Sequence, residues 1–194
     1  MRRLIVTEFL SVDGVMQGPG SPDEDRDGGF EHGGWQAEYF DEGVLAGAQE
    51  GMGNADAYLF GRRTYQIMAA HWPTAGADDP FAGHLNATKK YVASRTLKQL
   101  EWQNSELLDG DAGDAVARLK EQPGKEIVVL GSGDLVQTLM ARGLVDEFGL
   151  IVSPLVLGSG KRLFRDADQL KRLTLVSSKS TPKGNLLLSY KPAN

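Results

Sequence analysis

Apolar residues along the chain follow two alternating patterns, short continuous runs and longer stretches with helical spacing. The short runs are rich in β-branched and aromatic residues and predict strands at 3–10, 57–61, 90–94, 126–130 and 146–158. The stretches with helical spacing predict helices at 35–52, 62–72, 111–121 and 134–143. Asp111 is a suitable N-cap and Gly143 a suitable C′ residue, which supports two of the helix ends.

The order of these elements predicts the fold class. Strands alternate with helices for most of the chain, and two further strands, 172–179 and 185–191, flank a turn with the sequence STPKG. That order is typical of an α/β fold with a mainly parallel sheet and an antiparallel C-terminal hairpin. No repeat or long linker interrupts the 194 residues, so we expect a single domain over 1–194 with a long loop at 16–34.

Charge and residue usage exclude several classes of partner and site. The formal net charge is −5, and no Lys/Arg cluster exceeds a pair, so we expect no nucleic-acid and no membrane partner. The chain has no cysteine, which excludes disulfides, thiolate zinc sites and iron–sulfur clusters. Its histidines, His32, His71 and His84, are widely separated, so we expect no metal site.

The apolar run at the N-terminus is too short to direct secretion. Glu8 and Asp13 interrupt it, and no apolar run elsewhere approaches the roughly 20 residues that span a bilayer. We therefore expect a cytoplasmic protein.

Three predicted strand ends carry residues suited to phosphate binding, and ligands of open α/β sheets bind at such ends. Gly131–Leu135 (GSGDL) places two glycines before a helix, where backbone N–H groups are free. Gly61 precedes Arg62, Arg63 and Thr64 at another helix start, where two cations and a hydroxyl suit a phosphate. With the third strand end, which carries Ser94 and Arg95, these groups in an acidic protein indicate a phosphate-bearing ligand.

Other interpretations of these junctions stay open. Glycines after a strand can simply turn the chain, and the arginines can be solvated. A Rossmann fingerprint needs a third glycine where Val136 stands, so that motif is excluded while phosphate binding is not. Ser94 and Arg95, at the third strand end, suit a phosphate monoester such as the 2′-phosphate of NADP.

The motifs "LFGRRTY", "VLGSGDL" and "GLVDEFGLIVSPLVLGSG" carry a resemblance that extends over nearly the whole chain. Together they resemble the dihydrofolate reductase-like superfamily, in the branch of the riboflavin-biosynthesis reductase (RibD C-terminal domain-like). The resemblance implies a three-layer α/β/α fold, with a mostly parallel twisted sheet and an antiparallel C-terminal edge. It further implies NADPH as hydride donor, a small pterin-like, aminopyrimidine-like or carbonyl substrate, and a homodimer.

The resemblance also assigns residues to the cofactor and the reaction. Candidate cofactor-binding residues are Val12, Gly14, Gly61, Arg62, Arg63, Thr64, Ser94, Arg95, Leu130, Gly131, Ser132, Gly133, Asp134 and Leu135. Candidate catalytic residues are Asp13, in the turn expected to border the nicotinamide, and Asp41, on the predicted helix 35–52. The loop at 16–34 corresponds to a mobile active-site loop in the family.

Two alternative functions stay open. The chain could bind NADP(H) as a sensor without turnover. The loop also contains D-x-D-x-D-G, formed by Asp23, Asp25, Asp27 and Gly28, which resembles the start of a calcium-binding EF-hand loop. The twelfth position, which requires a bidentate Glu, is Gly34, so calcium binding is the less favoured alternative.

Overall fold

A computed structural model describes residues 1–76, 78–165 and 170–193. The described strands are β1 (Leu4–Ser11), β2 (Ala55–Gly61), β3 (Lys89–Ala93), β4 (Ser105–Leu107), β5 (Glu126–Leu130), β6 (Glu147–Ser153), β7 (Leu173–Ser180) and β8 (Leu186–Pro192). The described α-helices are α1 (Glu42–Asn54), α2 (Arg62–His71), α3 (Ala82–Ala87), α4 (Ala112–Glu121) and α5 (Gly133–Ala141). Single 3₁₀ turns occur at Asp27–Gly29, Ala37–Tyr39 and Trp72–Thr74.

The strands form one sheet of eight in the order β4-β3-β2-β5-β1-β6-β8-β7. Strand β2 pairs in parallel with β3 and β5, and β3 pairs in parallel with β4. Strand β8 lies between β6 and β7 and is antiparallel to both. This mixed sheet, mostly parallel with antiparallel C-terminal strands, confirms the predicted α/β class.

The chain divides into two compact units. The first comprises Met1–Ile5 and Gln49–Val145, and the second comprises Val6–Ala48 and Asp146–Asn194. The expectation of one domain over 1–194 stays a prediction. Each unit has an apolar core of its own.

An aromatic core holds the first unit together. The rings of Phe60 and Trp102 stack with centroids 6.0 Å apart. The Tyr65 hydroxyl accepts a hydrogen bond from the backbone N–H of Trp102 (3.0 Å). Because Phe60 lies on β2 and Tyr65 on α2, these contacts lock the junction between that strand and that helix.

Lys90, on β3, is a fully buried cation in the first unit. Its Nζ donates to the carbonyls of Leu85 (2.6 Å) and Thr88 (2.7 Å) and lies 4.4 Å from the centroid of a Trp102 ring. Carbonyls at a helix C-terminus lack intrahelical donors, so the ammonium group satisfies the end of α3. This contact fixes the short α3 against β3, and burial lowers the pKa of Lys90 to about 8.

The predicted helix 35–52 is wrong at its start. Residues Ala37–Tyr39 form a 3₁₀ turn, Phe40 is extended (φ −67°, ψ 127°), and α1 begins at Glu42. Ala37 and Phe40 therefore lie outside the helix that contains Val44. Asp41 stops the helix from extending backwards because its carboxylate caps the first turn, as shown below.

Other boundaries also differ from the prediction. Strand β6 ends at Ser153 rather than continuing to 158, since Pro154 has no N–H to donate to a ladder. The short elements β4 (Ser105–Leu107) and α3 (Ala82–Ala87) were not predicted, because three and six residues are too few to show a periodicity.

Candidate functional site

The three phosphate-suited strand ends lie side by side in the first unit. Strand β2 is the central neighbour, with Gly61 opposite Ala93 of β3 and Leu59 opposite Val129 of β5. Since all three strands are parallel, their carboxyl ends meet at one edge of the sheet. The predicted groups that begin at Arg62, Ser94 and Gly131 each follow one of these ends directly. The structure therefore brings the three groups together.

Ser132 joins two of the junctions directly. Its Oγ accepts a hydrogen bond from the backbone N–H of Gly61 (2.8 Å) and donates one to the carbonyl of Leu130 (3.2 Å). Ser132 itself has a left-handed conformation (φ 67°), which a serine adopts only where surrounding contacts hold it. The turn after β5 is thus fixed against the end of β2.

Gly131 is a position that favours glycine on two grounds, its backbone conformation and its close neighbour. Its φ is 59°, and a Cβ placed there would lie 3.0 Å from Cγ2 and 3.2 Å from Oγ1 of Thr64. The absence of a side chain lets the turn after β5 approach the first turn of α2 closely.

The helices differ in which side chains accept hydrogen bonds from their first-turn backbone N–H groups. Asp41 accepts from Val44 N at the start of α1, Asp79 from Ala82 N at the start of α3, and Asp111 from Asp114 N at the start of α4. By contrast, α2 and α5 have no side-chain cap hydrogen bond at their N-cap residues, Gly61 and Ser132. Helix α2 begins directly after β2, and two residues separate the end of β5 from the start of α5.

Positively charged residues occupy the first turn of α2 and the segment after β3. Arg62, Arg63 and Arg95 are exposed, and Arg62 contacts Gln66 one turn along α2 (3.0 Å). Asp134 is a single exposed acid in the first turn of α5, and it lies on the same edge. Arginines in a first turn oppose the helix dipole, so an anion at this edge would stabilise them.

Ser94 is prepared to donate a hydrogen bond. Its Oγ accepts from the backbone N–H groups of Thr96 (3.2 Å) and Leu97 (3.0 Å). The hydroxyl lone pairs are therefore in use while its hydrogen can still point to an acceptor.

The remaining cofactor candidates of this unit can contribute through their backbone. Leu135 is buried at 7% exposure, so its side chain packs inside the unit. Leu130, Gly133 and Thr64 are half-buried. Backbone N–H groups of the turn, rather than side chains, are the ligand-binding groups that this segment offers.

In the second unit, Asp13 connects the turn after β1 to the segment that contains Leu157 and Gly158. Its carboxylate accepts hydrogen bonds from Ser11 Oγ (2.7 Å), Leu157 N (3.1 Å) and Gly158 N (3.0 Å). The Ser11 bond, joined by those two backbone bonds, lowers the pKa of Asp13 to about 2 against the opposing effect of burial. Asp13 is therefore ionised at neutral pH and does not donate a proton there. Its catalytic assignment stays a prediction, and its contacts give it a positioning role.

Val12 and Gly14, on either side of Asp13, are placed differently. Val12 is 62% exposed, and its N–H donates to the carbonyl of Leu155 (2.9 Å). Gly14 has φ 78° at the turn, and its carbonyl accepts from Leu163 N (3.1 Å). Backbone hydrogen bonds hold this turn, and it presents one exposed apolar side chain.

Asp41 is a buried cap and not a solvated helix residue. Its Oδ1 accepts from Val44 N (2.9 Å) and its Oδ2 from Lys183 N (2.8 Å). Burial acts to raise the pKa of Asp41, but hydrogen bonds from Thr181, Lys183 and Val44 outweigh it and hold the pKa at about 2. Asp41 thus joins the start of α1 to the β7–β8 turn. Its assignment to catalysis stays a prediction.

Sequence reasoning missed Asn185, which completes the same junction. This residue is 1% exposed, and its Nδ2 donates to the carbonyl of Tyr39 (2.8 Å) and to Thr181 Oγ1 (3.0 Å). Its Oδ1 accepts from Ser153 Oγ (2.8 Å). An asparagine after a Pro-Lys-Gly turn was the available signal, but only the fold shows which carbonyl it meets.

The loop at 16–34 is packed within the second unit. Trp35 Nε1 donates to the carbonyl of Gln17 (2.8 Å), and Gln17 Nε2 donates to the carbonyl of Asp27 (2.9 Å). Phe30 is 5% exposed and clusters with Val15 and Trp35. Opening this loop as a lid would break these contacts, and the lid role stays a prediction.

The acids of the D-x-D-x-D-G motif are neutralised by side chains of the protein. Lys161 Nζ lies 2.6 Å from Asp25 Oδ2 and 3.0 Å from Asp27 Oδ2. Asp23 pairs with Arg26 (2.5 Å). Over the described ranges, no three or more His, Asp or Glu side chains are grouped so as to hold a metal ion. Lys161 is distant in sequence, so the motif alone did not reveal this pairing.

Comparison with known families decides the family of the chain. A family model described as the RibD C-terminal domain matches residues 2–187. The chain belongs to this family. The resemblance drawn from the sequence motifs is thereby confirmed. Within the described residues, the RibD C-terminal domain of this chain has no helix both long and apolar enough to cross a bilayer.

Curated relatives cover most of the chain. The uncharacterized protein YyaP of Bacillus subtilis (strain 168) is 28% identical over 198 residues, which span 97% of this chain and 94% of the relative. YwjB of the same organism, also uncharacterized, is 26% identical over 178 residues, spanning 92% and 91%.

Solved structures share the fold. A putative riboflavin biosynthesis protein from Shewanella sp. PV-4 superposes with a TM-score of 0.70 at 19% identity, over 99% of each chain. A pyrimidine reductase-like protein from Corynebacterium diphtheriae superposes with a TM-score of 0.64 at 14% identity, over 100% of this chain and 92% of that one. At such identities the likeness concerns the fold.

The Asp41 cap makes the free energy of unfolding depend on pH. The folded pKa of about 2 lies below the roughly 3.9 of an unfolded aspartate, so this carboxylate stabilises the fold above about pH 4. That contribution is lost as the pH falls towards 2. Asp41→Asn keeps one acceptor but cannot titrate, so we expect lower stability above pH 5 and a shallower loss of Tm between pH 4 and 2.

Thermal unfolding over a series of pH values measures this effect. Glu42→Gln is the matched control, because Glu42 is the exposed neighbour of Asp41 at the start of the same helix. The control is expected to follow the wild-type profile. Parallel profiles for wild type and Asp41→Asn would contradict the assigned cap.

Proposed function

We propose that this member of the RibD C-terminal domain family is an NADPH-dependent reductase of a small heterocyclic or carbonyl compound. The observation that carries the proposal is the pair of neighbouring helix N-termini without side-chain caps, α2 and α5, at one sheet edge. The other helix starts of the described residues are satisfied by aspartates, and these two are bordered by Arg62 and Arg63. Such an edge suits a doubly phosphorylated ligand.

The residues of this edge fit the phosphates of a dinucleotide. The backbone N–H groups of 133–135 would hold the pyrophosphate, and Gly131, by lacking a side chain, lets this turn lie against Thr64 of α2. Arg62, Arg63 and the Thr64 hydroxyl would contact the phosphates from α2. When bound, NADPH supplies a hydride from its nicotinamide.

The third strand end fits the additional phosphate of NADPH. Ser94 can donate its hydroxyl hydrogen, because its oxygen already accepts from Thr96 and Leu97. Arg95 follows it and is exposed. A hydroxyl and a guanidinium recognise a 2′-phosphate, whereas NAD sites use an acid at the corresponding place.

The chain's own residues would position the reactants and would not supply the proton. Asp13 and Asp41 are held ionised at neutral pH by their hydrogen bonds, so neither is a proton donor there. A proton for the reduced substrate would come from water. Asp13 instead fixes the turn that presents the exposed Val12 side chain, an apolar surface suited to a flat ring.

A second candidate function follows from the same carboxylates. Because both predicted catalytic acids have structural partners, the protein can be an NADP(H)-binding protein without turnover. In that case NADPH would act as a structural or sensing ligand.

Turnover separates the two functions. Purified protein is mixed with NADPH and a panel of pterins, aminopyrimidines and quinones, and loss of nicotinamide absorbance is followed. We expect oxidation with at least one heterocycle, and binding by calorimetry in the absence of any acceptor. Binding without oxidation across the panel would favour the second function, and no binding at all would contradict both.

The arginines of α2 can be tested by replacement. Arg62→Ala/Arg63→Ala should weaken NADPH binding by roughly 2–4 kcal/mol, about 30- to 900-fold in Kd, because two charge-assisted contacts of about 1.5–3 kcal/mol each are lost and solvent screening at these exposed side chains reduces their sum. Calorimetry measures the change. Arg3→Ala is the matched control, because Arg3 is similarly exposed but pairs with Glu126 (2.8 Å) at the opposite end of β5. An unchanged Kd in the double variant would place the phosphates elsewhere.

Selectivity for NADPH over NADH tests the role proposed for Arg95 at the third strand end. Arg95→Ala should weaken NADPH about 10- to 100-fold and leave NADH affinity unchanged, because only NADPH carries the 2′-phosphate. Titration of both nucleotides against the same protein provides an internal control. Equal losses for the two nucleotides would show that Arg95 contacts a shared part of the cofactor.

A further inference from the structure

The turns that follow β2 and β5 are held against each other by two contacts. Ser132 Oγ accepts the hydrogen bond from the backbone N–H of Gly61 (2.8 Å). Gly131 lies so near Thr64 that a Cβ added to the glycine would be 3.0 Å from Thr64 Cγ2. Because α2 begins directly after Gly61 and α5 directly after Ser132, these contacts set the distance between the two helix N-termini.

The hydroxyl of Ser132 takes the place of a strand carbonyl. The pairing of β2 with β5 ends at Leu59 and Val129, so the N–H of Gly61 lies beyond the last paired residues. A backbone N–H group in a partly buried position needs an acceptor, and leaving it without one costs free energy. The Ser132 oxygen supplies that acceptor from a segment that has already turned away from the sheet.

The Ser132 side chain has no hydrogen left for a phosphate. Its single hydroxyl hydrogen is donated to the carbonyl of Leu130 (3.2 Å). The pyrophosphate oxygens of a dinucleotide only accept hydrogen bonds, so this hydroxyl does not bind them while the bond to Leu130 is made. Its contribution to ligand binding therefore comes from where it holds the backbone.

The backbone conformation of Ser132 adds to the case for its side chain. The residue has φ 67° and ψ 43°, a left-handed conformation that glycine adopts at a lower cost than serine. Glycine, however, would lack the hydroxyl that binds Gly61. The hydrogen bond between the two turns is thus the interaction that serine adds at this position.

We infer that Ser132 is a positioning residue that makes the N-termini of α2 and α5 act as one site for two linked phosphates. The inference rests on the proposed function, which assigns the phosphates of NADPH to these helix starts. When two sites are held at a distance that matches the ligand, binding of the first phosphate brings the second to its own site at a high effective concentration. Loss of the Ser132 hydroxyl removes this advantage for a pyrophosphate, whereas a single phosphate does not depend on it.

Inorganic pyrophosphate and inorganic phosphate are the probes, titrated by calorimetry into the full chain at constant ionic strength. Wild type should bind pyrophosphate at least about 10-fold more tightly than phosphate. Ser132→Ala removes the oxygen and keeps the Cβ, whereas Ser132→Gly removes both and readily adopts the left-handed conformation. Each variant should weaken pyrophosphate and NADPH about 10-fold or more and leave phosphate within about 3-fold of wild type.

Thr138→Ala is the matched control. Thr138 also lies on α5, and its Oγ1 donates to a backbone carbonyl within the same helix, that of Asp134 (3.3 Å). This variant should leave the affinity for both probes within about 2-fold of wild type. Circular dichroism and Tm show whether each variant is folded. A merely structural role of Ser132 would lower Tm and leave the ratio of the two dissociation constants as in wild type.

An unchanged ratio in Ser132→Ala and Ser132→Gly would overturn the inference and leave the proposed function intact. Weakening of pyrophosphate by Ser132→Gly alone would also overturn it, since that result points to backbone freedom and not to the hydroxyl. So would a wild type that binds NADPH without preferring pyrophosphate to phosphate. A preference for pyrophosphate without binding of NADPH would contradict the proposed function alone, and binding of neither would contradict both.

Discussion

Every α-helix begins with backbone N–H groups that have no carbonyl partner inside the helix, and this constraint organises the whole molecule. Aspartates satisfy it at α1, α3 and α4, where Asp41, Asp79 and Asp111 accept first-turn hydrogen bonds. At α2 and α5 the N-cap residues, Gly61 and Ser132, make no side-chain cap hydrogen bond. The proposed function assigns an anionic ligand to these two helix N-termini.

The parallel register makes that edge a single surface. Strands β3, β2 and β5 are neighbours, and the hydrogen bond from Gly61 N to Ser132 Oγ draws two of their ends together. In the second unit, carboxylates bind backbone N–H groups of the protein itself and leave none of those groups for a ligand. Asp13 and Asp41 accept backbone hydrogen bonds, so they stay ionised and hold loops in place. A reductase can be built in this way because the hydride belongs to its cofactor, while the chain supplies binding and orientation.

Prediction from the sequence succeeded where local signals were strong. The β-branched run Glu126–Leu130 and the helix capped by Asp111 were found at nearly their observed bounds. It failed around Asp41, because helical spacing from Ala37 onwards continued through a residue whose carboxylate ends the helix. Asp41 could equally have faced solvent. Its partner Lys183 lies far along the chain, and no spacing within 35–52 indicates that contact.

The sequence by itself determined the family, the α/β class and the residues with phosphate-binding chemistry, since glycines, arginines and hydroxyls after strands are local features. Tertiary structure alone decided which of these residues are neighbours, because strand order sets their separation in space. It also decided that Lys161 neutralises Asp25 and Asp27. Those outcomes depend on contacts between distant segments, whose geometry exists only after the chain has folded.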